Sequence, residues 1–155
     1  MGRVPALVPR LALKRTTGVV LLVSTAALIG VLLYLRDPPW LPGVSSGFTG
    51  WRTDASGIQF RPMRGRASFF VPSSASAIDI PIRAPFESPV DWPIVATFTV
   101  DDKPVNRIVL GDDRWHTVTI QLRQSTRRRV RRIDIHADRT RSGNRGPHIG
   151  EPVIR

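Results

Sequence analysis

The chain has no cysteine, one tyrosine and only two glutamates among its 155 residues. Without cysteine there is no disulfide framework, thiolate metal site or thiol nucleophile to consider. The two glutamates, Glu87 and Glu151, sit in no recognisable setting for a glycosidase carboxylate pair. A phosphate-cradling glycine loop and H-E-x-x-H are also missing, and no active site is legible. Acids are scarce altogether: 12 against 23 basic residues, a formal net charge of +11. Fourteen prolines and 12 glycines fit a turn-rich β protein better than a helical bundle.

Charge is missing most conspicuously between Arg15 and Arg36. Thr16 to Leu35 reads TTGVVLLVSTAALIGVLLYL, twenty residues without a charged side chain. At ~1.5 Å per residue, a helix of that length covers the ~30 Å hydrocarbon core of a bilayer. A soluble helix is rarely apolar on every face for so long. A cleavable signal peptide is the competitor, but its apolar stretch is shorter, about 7–15 residues, and ends at small residues. This one ends in Leu32, Leu33, Tyr34 and Leu35. An uncleaved anchor is therefore expected. Arg3, Arg10, Lys14 and Arg15 precede the span without an acid, which keeps residues 1–15 in the cytoplasm by the positive-inside rule. The chain beyond the span is expected to be exported. Ala26 and Gly30 form one small-xxx-small pair, which chance alone readily supplies.

Residues 36–46, RDPPWLPGVSS, read as a stiff Pro-rich linker, and residues 47–155 as a β domain. Strand chemistry recurs at Gly57–Arg61, Ala67–Val71, Ala77–Arg83, Ile94–Val100, Val105–Leu110, Trp115–Leu122 and Val130–Ala137. Ile78, Ile80 and Ile82 alternate with polar or proline neighbours, as do Val118, Ile120 and Leu122, and Ile133, Ile135 and Ala137. Asp101-Asp102-Lys103-Pro104 and Gly111-Asp112-Asp113 punctuate the strands as turns. Short strands at this spacing predict a mainly β fold, a two-sheet β-sandwich behind one N-terminal transmembrane α-helix. An immunoglobulin-like arrangement is the alternative to a jelly roll.

Candidate chemistry is sparse. His116, His136 and His148 share no metal-ligand spacing and read as structural or surface imidazoles. Asp101/Asp102 and Asp112/Asp113 carry oxygens that suit calcium, but aspartate is also a turn residue in its own right, and turns are expected there. No cofactor is called for. The sharpest feature is basic: residues 121–145 hold nine Arg against two Asp, while the rest of the exported part is balanced. Arg127, Arg128, Arg129, Arg131, Arg132, Arg139, Arg141 and Arg145 are the expected contacts for an anionic headgroup, an acidic glycan or the acidic face of a protein. The plainer alternative is a solvated edge that blocks sheet-to-sheet association. Nucleic acid, the usual partner of such a run, lies on the other side of the membrane. For sugar, a Trp face is the sign to seek. Trp51 and Trp115 are expected in the core. Trp92, flanked by Asp91 and Pro93, is the expected surface platform.

A resemblance joins these pieces. Gly47-Phe48-Thr49-Gly50-Trp51 opens the domain, and a Trp-led strand Trp115-His116-Thr117-Val118-Thr119-Ile120 comes after a V-D-x-x-x-V hairpin. Arg131-Arg132-Ile133-Asp134-Ile135 then precedes a closing Gly150-Glu151-Pro152-Val153. Residues 47 to 153 thus resemble the exported, carbohydrate-binding-like jelly-roll domain at the C-terminus of some bacterial membrane glycosyltransferases. The resemblance implies a jelly-roll topology and a place in the bacterial inner membrane, with the C-terminal domain periplasmic. The many-helix catalytic part of those enzymes has no counterpart here, so transferase activity is not carried over. The expectation is a non-enzymatic accessory subunit in the lipid bilayer beside a membrane protein partner. The alternative is a membrane-anchored module that binds glycan or anionic headgroups.

Overall fold

The computed structural model describes residues 10–36, 38–86, 92–123, 128–140 and 146–155, with side chains from residue 17 onward. It divides into two units, Met1–Pro39 and Trp40–Arg155. The first contains one helix, α1 (Arg10–Arg36), 27 residues long. The expected span, Thr16 to Leu35, lies inside it. Every described side chain of α1 is exposed, Leu21 and Leu22 by 70% and 72%. The Thr25 hydroxyl donates to the Leu21 carbonyl at 2.9 Å, so the helix satisfies its own buried-prone polar group. The helix is long and apolar enough to cross a membrane.

The second unit is almost entirely β. After a short 3-10 turn at Leu41–Gly43 come β1 (Ser45–Phe48), β2 (Arg52–Thr53), β3 (Gln59–Pro72), β4 (Ala77–Arg83) and β5 (Ile94–Val100). They are succeeded by β6 (Lys103–Leu110), β7 (His116–Gln121), β8 (Val130–Ala137), β9 (His148–Gly150) and β10 (Val153–Ile154). All pairings are antiparallel. One sheet has the order β1-β3-β8-β5-β6. The other runs β2-β3-β9-β4-β7, with β10 beside β9 along the same edge of β4. This is a two-sheet, jelly-roll-like sandwich.

Alternation places the core. Ile94, Ala96, Phe98 and Val100 of β5 are buried while the residues between them are not. Ile78, Ile80 and Ile82 of β4 meet Ile133 and Ile135 of β8 in one apolar cluster between the sheets. Parity also buries Val118 and Ile120 and leaves His136 exposed. The period-two argument fails on the other face of β4, where Asp79 is only 7% exposed. Its carboxylate is met by the Thr119 hydroxyl at 2.7 Å and by the Arg155 guanidinium, which is why it can be buried.

Two segments expected as separate strands, Gly57–Arg61 and Ala67–Val71, belong to one 14-residue strand, β3. Its first half, at Phe60–Pro62, pairs with β9 in one sheet, and its second, at Arg66–Pro72, pairs with β8 in the other. Pro62 and Gly65 sit at the crossing, where a bend must redirect the chain from sheet to sheet. The expected linker also does not stay a linker: Ser45 and Ser46 pair with Phe69 and Ser68. A bulge comes next at Gly47, with φ of 76°, where an added Cβ would lie 1.9 Å from the Arg66 carbonyl oxygen. Between β5 and β6, Asp101 and Asp102 have φ of 49° and 68°, a two-residue hairpin turn of the primed kind.

Candidate functional site

A groove of about 280 Å³ lies beside β1 and β3. Pro42, Val44, Trp51, Phe70, Arg61 and Glu151 are among its walls. Trp51 lies between β1 and β2, directly after Thr49 and Gly50, and is 52% exposed. Arg61 is fixed beside it from several directions. Its Nε donates to the Thr49 carbonyl at 3.1 Å and its Nη1 to the Ser45 hydroxyl at 2.9 Å. The guanidinium lies 4.7 Å from the Phe48 ring centroid and 5.4 Å from that of Trp51. Cation–π contact and these hydrogen bonds hold an aromatic shelf with a planar donor at its side. Glu151, exposed at the rim, adds acceptor oxygens. Such an apolar surface with a few convergent polar groups is the usual make-up of a ligand site.

The other tryptophans lie elsewhere. Trp92, the expected surface platform, is half-buried against the core cluster, close in sequence to the fully buried Ile94. Its indole Nε1 is buried and has no hydrogen-bond partner among the described residues. Trp51, expected in the core, is open instead, as is Trp40. For Trp51 the reason is local: the strands it neighbours, β1 and β2, are four and two residues long and leave it uncovered. Trp115 is part of a polar-aromatic cap on the second sheet. Its Nε1 donates to Asp54 at 3.0 Å, its ring lies 6.1 Å from that of Phe60, and Arg83 sits 5.1 Å from its centroid. The Trp115 hydrogen bond, ahead of the Ile58 and Ser56 backbone bonds and the Arg83 charge, holds the Asp54 carboxyl below its ordinary value. His148 stacks on Phe60 at 4.4 Å. Burial first, then the Arg83 and Arg52 charges, push its pKa down to about 4. This cap explains its members structurally.

Among the described residues, the arginines of the run lie along β8 and at both of its ends. Arg131 and Arg132 grip the β5–β6 turn: Arg131 Nε pairs with Asp101, and Arg132 pairs with Asp102 and, at 2.9 Å, with Asp134. The Asp134 hydrogen bond is the main cause that raises the Arg132 pKa. Arg128 and Arg129 are exposed before β8 and Arg139 after it. Eight strand residues separate the ends by roughly 25 Å. Arg127, Arg141 and Arg145 lie outside the described residues. Both acid pairs do lie in turns. Asp112 accepts from the Arg114 backbone at 3.1 Å and pairs with His116 Nε2 at 2.8 Å. The His116 hydrogen bond leads the causes that lower the Asp112 pKa. Among the described residues no three potential ligands gather as a metal site.

No protein-family model matches the chain, and no curated protein matches it. Solved structures do. A family two carbohydrate esterase from Clostridium thermocellum, in complex with cellohexaose, is 8% identical over 72% of this chain, with a TM-score of 0.48. The CBM36-1 domain of a multidomain xylanase from the hindgut metagenome of Trinervitermes trinervoides is 11% identical over 72% of this chain and 89% of its own, at 0.46. A family 35 carbohydrate binding module from Clostridium thermocellum is 13% identical over 70% of this chain and 88% of its own, at 0.45. The chain spans 31% of the length of that esterase and 30% of a second one, from Cellvibrio japonicus.

Proposed function

We propose that this protein is a membrane-anchored, non-catalytic β-sandwich that binds glycan in the Trp51 groove. The observation that carries the reading is Trp51 itself, a large apolar ring left half open beside a fixed guanidinium. The apolar faces of pyranose rings stack on such a surface, and the Arg61 fork and Glu151 carboxylate suit the hydroxyls around the ring edge. The apolar helix serves as the anchor, with the N-terminus cytoplasmic and the sandwich periplasmic. The likeness of residues 47 to 153 to sandwich domains of membrane glycosyltransferases supports a role beside sugar-handling enzymes.

The test is a glycan array probed with the detergent-solubilised full chain, and then titration of any hit. Trp51→Ala is expected to weaken binding by at least about tenfold, as loss of a central aromatic anchor does, with an unchanged melting temperature. Trp92→Phe is expected to leave affinity unchanged. Equal affinity of Trp51→Ala and the unaltered protein, or no glycan bound at all, would overturn the reading. An accessory role beside a larger membrane protein is read from the same extract on a native gel. Stoichiometric recovery with one large complex is its expected signature, and a lone species in a micelle would remove it.

A further inference from the structure

A second surface lies on the solvent face of the sheet β1-β3-β8-β5-β6. Arg66 of β3 stands opposite His136 of β8, His136 opposite Thr97 of β5, and Thr97 opposite Arg107 of β6. These four share one row across the sheet. In the next row Asp138 bonds to Val95, and Val95 stands opposite Val109. Arg64 and Arg139 border a shallow recess of about 460 Å³ at the β3–β8 end of these rows. Arg64, Arg66, Arg107 and Arg139 are all exposed and make no ion pair among the described residues. The acid in the recess, Asp138, already accepts from the Val95 backbone at 2.8 Å. On β6, Val109 is 58% and Val105 45% exposed, on either side of Arg107.

We infer that this face docks on an anionic lipid surface. Unpaired cations beside exposed aliphatic side chains match the two layers of a membrane interface, charged headgroups above and acyl chains below. A glycan would call for an aromatic platform, and neither row carries one. The anchor proposed above supplies the bilayer, and the inference rests on that part of the reading. Only Asp37, Pro38 and Pro39 separate the helix from the residue that begins the β unit, Trp40. A membrane is thus the polyanion this face meets at the highest local concentration.

The absence of native cysteine makes the test direct. Val109→Cys, carrying an environment-sensitive fluorophore, is reconstituted as the full chain in nanodiscs of phosphatidylcholine alone or with one-third phosphatidylglycerol. Thr117→Cys, on the solvent face of the other sheet, is the control. The expected result is a blue shift and at least roughly threefold less quenching by iodide at position 109 in the anionic discs. Position 117 should not respond, and high salt should abolish the effect by screening. Arg64→Gln, Arg66→Gln, Arg107→Gln and Arg139→Gln together should also abolish it, with circular dichroism and thermal melting checking the fold. Equal quenching in the two discs, or full protection in the four-residue variant, would overturn the inference. So would release of the label by a soluble sulfated glycan without any response to the anionic discs, which would reassign the face. Should the chain fail to remain in the discs, the anchor fails separately. The same labelled protein, added to vesicles of the two compositions, then reads the face on its own.

Discussion

Gly47 shows how much one side chain can be excluded by its neighbours. Its φ of 76° disfavours any L side chain, and a Cβ there would collide with the Arg66 carbonyl. Gly47→Ala is expected to cost about 2 kcal/mol or more, read as a lower midpoint in urea unfolding. His148 makes the opposite kind of prediction, one of pH. Unfolded histidine takes up its proton near pH 6.5, whereas His148 in the fold does so only near 4. The unfolded chain therefore binds more protons between those values, and stability falls as pH drops from 6.5 to 4. The loss is at most about 3 kcal/mol, reduced by the solvent that reaches the ring. His148→Phe, which keeps the stacking on Phe60, should flatten that slope in melts recorded from pH 7 to 4. The lowered Asp54 and Asp112 values add to acid sensitivity only below the ordinary aspartate range. At this scale the sequence was a partial guide. Turn aspartates were legible because aspartate bonds its own backbone. The exposure of Trp51 was not, because it depends on how far the neighbouring strands extend over the ring.

Among the elements, the β5–β6 hairpin joins turn chemistry to the arginine run. Asp101 accepts from Arg131 Nε and, at 3.0 Å, from the Arg132 backbone, while Asp102 is 79% exposed at its side chain and pairs with Arg132. Asp101→Ala should therefore destabilise by about 2 kcal/mol, as it strands two donors in a positive-φ position. Asp102→Gly should change stability by less than about 1 kcal/mol, since relief of its φ offsets an exposed ion pair. Chemical denaturation of both variants separates the two outcomes. The strands β4, β5 and β8 begin and end where expected, although period two does not foretell the burial of Asp79 on β4. β3 was expected as two strands, Gly57–Arg61 and Ala67–Val71, whereas the chain passes from one sheet to the other between them, around Pro62 and Gly65. The two- to four-residue strands β1, β2, β9 and β10 have too few residues for a period to be counted. The described arginines of the basic run are distributed along β8: Arg131 and Arg132 hold the β5–β6 turn, and Arg139 borders the outer-face recess. The outer-face cations Arg64, Arg66 and Arg107 come from outside it.

Across the whole molecule, charge and apolar length divide the work. The helix is apolar and long enough to cross a bilayer, and its backbone hydrogen bonds are satisfied within the segment, as that solvent requires. Resistance to alkaline carbonate extraction is the expected outcome, and release into the soluble fraction would count against an anchor. The sandwich carries its own apolar cluster, in which Phe98 is fully buried. Phe98→Ala is expected to cost about 3–5 kcal/mol, enough to unfold a domain of ordinary stability. The topology of the sandwich also sets how that unfolding proceeds. β3 is held in common by both sheets, so its pairing with β9 and its pairing with β8 lie on one continuous strand, although β5–β6 and β4–β7 are ladders private to each sheet. In deuterium, the amides of the β3 residues paired with β9 and of those paired with β8 should therefore exchange together, only when the whole sandwich comes apart. The strand works as a single clock for two halves that share almost no sequence neighbourhood.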